Sequence, residues 1–91
     1  MKYIDWDKEK NVKLKKERGI GFEDVVSAAE NGGLLDVTES YNPKKYPHQK
    51  VLVVNVDGYA FLVPYVEDEE KIFLKTIIPS RKATKKYLFN K

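Results

Sequence analysis

Three spacings of apolar residues divide this 91-residue chain into elements. Phe22, Val25, Val26 and Ala29 recur at i, i+3, i+4 and i+7, the spacing of one helix face, and Asn31-Gly32-Gly33 stops that helix. Ahead of it, Lys8 to Arg18 carries only Val12 and Leu14, with Trp6 just outside. Asp7 is a ready N-cap and Gly19 a stop, so this stretch reads as a surface helix on few anchors. Leu34 to Thr38 reads as a short strand. Glu39 to Gln49, with Asn42, Pro43 and Pro47, reads as a loop.

The clearest alternation follows. Lys50 to Val56 and Tyr59 to Val66 flank Asp57-Gly58, a pair suited to the type I′ turn of a two-residue hairpin. That register puts Leu52, Val54 and Val56 on one face with Tyr59, Phe61 and Val63, and sets Lys50 opposite Tyr65 at the open end. Glu67 to Glu70 form the next turn and Lys71 to Ile78 a third long strand. Pro79 ends that strand, and Ser80 caps a last helix through Lys86 or Tyr87. The expected class is α+β in the order α-α-β-β-β-β-α. Two N-terminal helices pack on an antiparallel sheet of three to four strands, and a short helix closes the chain.

With 42% hydrophobic and 12% aromatic residues the chain can build one core, so residues 1–91 are expected to form a single domain. There is no cysteine, which suits a reducing compartment and leaves no thiolate metal site. Met1 to Asp7 lacks the apolar run of a secretory signal. The longest apolar stretch, Val51 to Val66, is broken by Asn55, Asp57, Gly58 and Pro64, so neither export nor membrane insertion is expected, and the cytoplasm is. A net charge of +3 permits a polyanionic partner. The basic residues are unevenly placed: six of eleven between Lys8 and Arg18, and five between Arg81 and Lys91.

Candidate chemistry is sparse. One histidine, no cysteine and no acids at ligand spacing leave no evident metal site, and Glu67 to Glu70 read as a solvated turn. Arg81 and Lys82 fall in the first turn of the last helix, where the macrodipole disfavours cations. They can seat a phosphate there or belong to an ordinary basic surface. His48, in the Pro-rich loop, is the side-chain type whose ordinary pKa lies nearest neutrality. Tyr41, Tyr46, Tyr65 and Tyr87 can stack on bases or simply pack, and Lys50 can line a groove beside Tyr65.

Trp6-Asp7, Lys10, Gly19, Phe22-Glu23, Leu35-Asp36, the central hairpin and Arg81-Lys82-Ala83 occur in an order and spacing that resembles the BrnT toxins. The resemblance covers roughly residues 3 to 88. It implies a RelE-like ribonuclease fold, RNA cleavage without metal or other cofactor, and silencing by a cognate antitoxin that carries the operator-DNA contact. By the same resemblance Arg81 is the main catalytic cation, and Lys75 stands beside the position of a family strand cation. Read from the residues themselves, His48 is a further catalytic candidate, and Lys82, Lys50, Tyr65 and Tyr87 are the RNA-binding candidates. Many relatives have serine where this chain has Gly21, and place a strand cation at Thr76 rather than at Lys75. Two other readings use the same residues: a non-catalytic RNA- or DNA-binding module, and a structural partner protein.

Overall fold

A strand that periodicity did not announce opens the fold. The structure, a computed structural model, describes residues 2–40, 44–45 and 47–89. Tyr41 and Tyr46 lie outside the described residues. Strand β1 (Tyr3–Trp6) precedes helices α1 (Lys8–Arg18) and α2 (Phe22–Ala28). Strands β2 (Leu34–Glu39), β3 (Gln49–Val56), β4 (Tyr59–Glu67), β5 (Lys71–Leu74) and β6 (Ile78–Pro79) follow, then helix α3 (Arg81–Thr84). One wide helical turn, Ala29–Gly33, leads from α2 into β2, and another, Lys85–Phe89, extends α3. Among the described residues this makes one mostly antiparallel sheet of six strands, larger than the three to four expected.

The hairpin forms as its alternation requires. Lys50 pairs with Tyr65, Leu52 with Val63, Val54 with Phe61 and Val56 with Tyr59. Asp57 and Gly58 take φ of 53° and 86°, the two left-handed positions of a type I′ turn, and the Gly58 N–H donates to Asn55 Oδ1 at 2.9 Å. The expected strand from Lys71 to Ile78 is broken into β5 and β6. Both lie along the same edge of β4, Leu74 opposite Tyr65 and Ile78 opposite Leu62. Two residues of β4, Val63 and Pro64, face the three of Lys75-Thr76-Ile77, and one residue too many interrupts the ladder. Beyond β5, β1 adds in parallel, Tyr3 beside Lys71 and Trp6 beside Leu74, giving the path β1-β5-β4-β3-β2.

The sheet has helices on both faces. On the first, Leu14, Ile20, Phe22 and Val25 cover Val54, Val63, Tyr65, Leu74 and Ile77, and Trp6 stacks on Phe22 with ring centroids 5.7 Å apart. On the second, α3 and its extension lay Ala83, Tyr87 and Leu88 over Val53, Ala60, Leu62 and Leu35. This layer is fixed by hydrogen bonds as much as by packing. The Ser80 N–H donates to the Ala60 carbonyl (3.0 Å) and the Ala60 N–H to Thr84 Oγ1 (2.9 Å). Thr84 Oγ1 in turn donates to the Ser80 carbonyl at 2.8 Å. At the far end of the layer Tyr87 Oη donates to Asp36 Oδ2 (2.6 Å), tying the C-terminal turn to β2.

Helix α1, thin in apolar residues, is held by a polar device. Asp7 Oδ1 accepts the N–H groups of Glu9 (2.9 Å) and Lys10 (3.2 Å) at its start. Along it, only Asn11 and Leu14 are buried. Asn11 Oδ1 accepts the Phe22 N–H at 2.7 Å, so α1 caps α2. Asn11 Nδ2 donates to both oxygens of Glu23 (2.9 and 3.0 Å), and Lys15 Nζ meets Glu23 Oε2 at 2.9 Å. The Asn11 amide and then the Lys15 ammonium hold the Glu23 carboxyl down at about 2. This explains Gly21. A Cβ there would lie 2.4 Å from Lys15 Cε, 2.6 Å from Glu23 Oε1 and 2.8 Å from Asn11 Oδ1, displacing the atoms that make the cap.

Candidate nucleic-acid interface

Each of the seven candidate residues can be placed by its strand register and face. Arg81 is exposed in the first turn of α3, next to Ser80, whose N–H is bonded to Ala60. His48, also exposed, precedes Gln49, which pairs with Val66. Ala60 and Val66 are six residues apart on β4, so the two candidates stand roughly 20 Å apart at opposite ends of the hairpin. The Lys75 N–H bonds the Pro64 carbonyl, roughly 13 Å along β4 from Ala60. Its ammonium lies 6.0 Å from the Phe73 ring, directed away from Arg81. Arg81, His48 and Lys75 therefore do not converge on one phosphate.

The expected RNA-binding set divides in the same way. Lys50 and Tyr65 do face each other, but on the face covered by α1 and α2. Tyr65 is only 7% exposed, and its ring lines an apolar recess of about 210 Å³ with Val25, Val26, Leu52, Ile72 and Leu74. Burial pushes its phenol pKa up, and its ring is core rather than a surface for a base. Tyr87 packs on the second-face core with its hydroxyl on Asp36, which raises the Tyr87 pKa and lowers that of Asp36. It thereby ties the Lys85–Phe89 turn to β2. Lys82 is exposed beside Arg81.

The phosphate seat read into the start of the last helix is also weaker than its sequence suggests. The α-helical part of α3 is four residues, and Ser80 Oγ already accepts the Ala83 N–H at 3.0 Å. A single turn has little macrodipole to oppose Arg81 or to attract an anion. The acidic turn matches the solvated reading instead: Asp68 Oδ1 accepts the N–H groups of Glu70 and Lys71, both at 2.8 Å.

A larger electrostatic feature replaces the point site. From Lys71 to Lys91 the sequence has seven lysines and arginines and no acid. The first seventy residues have ten such cations against fourteen acids. In sequence, one end of the chain is thus +7 and the rest −4; in the fold Asp5 alone of the acids comes within 4 Å of a described cation of that end, at Lys71. In β5, Ile72 and Leu74 turn to the first-face core, so Lys71 and Phe73 turn to the second face. Arg81, Lys82, Lys85 and Lys86 stand exposed on the helical layer over that same face. The sequence pattern was legible, since the acid-free run is visible in the residues, but its meaning depends on β5 and α3 sharing one face.

Among the described residues no group of three or more His, Cys, Asp or Glu is placed to hold a metal ion, and no helix is long and apolar enough to cross a membrane. No protein-family model, curated protein or solved structure matches this chain, so its own residues carry the functional argument.

Proposed function

We propose that this chain is a metal-independent endoribonuclease toxin of the RelE-like, BrnT type, acting in the cytoplasm and silenced by a cognate antitoxin. The observation that carries the reading is the acid-free segment that starts at Lys71, whose described cations Lys71, Lys75, Arg81, Lys82, Lys85 and Lys86 lie on one face, which suits a polyanion such as RNA. RNA supplies its own nucleophile, the 2′-hydroxyl. The protein needs cations for the charged phosphorane and groups to move two protons. Arg81, at the exposed start of α3 and flanked by Lys82, is assigned the phosphorane charge. His48, at the other end of the hairpin, is not assigned a step beside Arg81. A single histidine and no cysteine favour chemistry without a metal.

Purified protein should cut RNA in excess EDTA and leave 2′,3′-cyclic phosphate ends. Its expression alone should arrest bacterial growth, and the product of an adjacent antitoxin reading frame should bind it and restore growth. Loss of cutting in EDTA with recovery in magnesium would sink the mechanism. The separation of Arg81 from His48 favours a second reading, a non-catalytic RNA-binding module. It predicts RNA binding with no cleavage and no growth arrest.

A further inference from the structure

The second face has two halves. Near the hairpin turn it is covered by α3 and its extension. At the other end, where β1 and β5 run in parallel, neither strand contributes a residue to the core under α3 and its extension. Alternation sets the side chains of Tyr3, Asp5, Lys71 and Phe73 on that strip, because Trp6, Ile72 and Leu74 belong to the first-face core. Tyr3 is 56% exposed, and Phe73 is half-buried. Two ammonium groups reach over the Phe73 ring, Lys71 Nζ at 5.6 Å and Lys75 Nζ at 6.0 Å from its centroid. Tyr3 pairs with Lys71, so it is the diagonal neighbour of Phe73, roughly 8 Å away.

Aromatic rings on an open sheet face, with lysines beside them, are the parts that bind single-stranded nucleic acid: the rings stack on bases and the ammoniums take the phosphates. A core needs neither, since a half-buried phenylalanine and an exposed tyrosine bury little area. Charge favours the same occupant, for Lys71 and Lys75 on this strip open the acid-free segment that continues through Arg81, Lys82, Lys85 and Lys86. We propose that Tyr3 and Phe73 form a stacking subsite for two bases of single-stranded RNA, with Lys75 and Lys71 on the adjoining phosphates. The subsite rests on the RNA reading above and extends it, placing bases at the edge of the sheet well away from Arg81. The two lysines are unequal. Asp5 Oδ2 lies 3.8 Å from Lys71 Nζ, while its other oxygen accepts the Trp6 N–H at 2.9 Å. Part of the Lys71 charge is therefore already answered, and Lys75 contributes more to phosphate binding.

The test uses the whole protein and a 2′-O-methyl oligouridylate, which has bases and phosphates but no attacking hydroxyl and so survives binding. Phe73→Trp puts a fluorophore in the subsite, whereas native Trp6 stacks on Phe22 in the other face and gives the wild-type background. The oligonucleotide should quench the new tryptophan, and inorganic polyphosphate and polyglutamate, polyanions without bases, should not. Phe73→Leu keeps an apolar side chain but removes the ring, and should weaken oligonucleotide binding about 5- to 50-fold at an unchanged melting temperature. Tyr3→Leu should do the same to a smaller extent. Lys75→Ala should reduce the slope of log K against log salt by about 0.7, and Lys71→Ala by less. If the wild type binds the oligonucleotide while the Phe73→Trp signal stays still and Phe73→Leu binds as tightly, the subsite is wrong and the RNA reading stands. If the wild type does not bind it, both fail. Equal quenching by polyglutamate overturns the subsite in favour of an acidic protein segment.

Discussion

The two faces of one sheet are built by different rules. The first is covered by two helices and holds the largest buried side chains: Phe22, Val25, Val54, Val63, Leu74 and Ile77. The second is covered by one helical turn and its extension, has a small core of Val53, Ala60 and Ala83, and is held at both ends by side-chain hydrogen bonds. The described cations of the acid-free run, Lys71 to Lys86, lie with the second. A thinly covered, cation-rich face contributes little to stability and leaves room for a ligand. On the reading proposed above, the first face folds the chain and the second is the one that would meet RNA.

Substitutions on the first face should therefore be the costly ones. Phe22 has no exposed surface and stacks on Trp6. Phe22→Ala should cost about 3–5 kcal/mol in urea unfolding, enough to threaten the fold of so small a domain. The largest single effect on the second face should be smaller and polar in origin. Thr84→Val keeps the shape but leaves the buried Ala60 N–H without its acceptor, at about 1–3 kcal/mol. If Thr84→Val proves as damaging as Phe22→Ala, the faces do not differ as described.

Next in size is the polar device joining α1 to α2. Asn11→Ala removes the acceptor of the Phe22 N–H and should cost about 1–3 kcal/mol. The same device gives a pH signature. The Glu23 carboxyl is held near 2 against an ordinary value of 4.5, so its stabilisation is complete above about pH 4.5 and fades as pH falls towards 2. Glu23 is about half exposed, which keeps the effect small. Denaturant midpoints of Glu23→Gln should fall less than those of the wild type over this range. Parallel pH profiles would show that the carboxylate contributes nothing.

Charge removal on the second face should scarcely alter stability. Arg81→Ala should change stability by no more than about 0.5 kcal/mol, yet slow single-turnover cleavage about a hundredfold. Lys82→Ala points elsewhere around the turn and should weaken binding more than turnover. Wild-type cleavage by Arg81→Ala would make the arginine an ordinary surface residue.

Local signals carried far in this chain. The Asp57-Gly58 turn, the hairpin register, the Lys50–Tyr65 pair and the Asp7 cap all follow from residues close in sequence, where period and turn chemistry decide. What was not legible depends on distant partners. Tyr3 to Trp6 is four residues long, too short for a periodic signal, and becomes a strand only beside Lys71 to Leu74. Gly21 has no side chain to cap α2, and the acceptor that serves the Phe22 N–H comes from Asn11, ten residues earlier. For the same reason the spatial grouping of the candidate residues was not legible. Chemistry-bearing residue types could be picked out, but not that Tyr65 is core, that Tyr87 is tied to Asp36, or that His48 and Arg81 stand at opposite ends of one hairpin.

Two segments of this chain are rich in cations, and only one of them is assigned to RNA. Hydrogen–deuterium exchange with and without a 2′-O-methyl oligonucleotide separates them directly. Protection should appear in peptides covering Lys71 to Lys75 and Arg81 to Lys86, with none across Lys8 to Arg18. Protection of Lys8 to Arg18 alone would contradict the assignment of RNA to the second face.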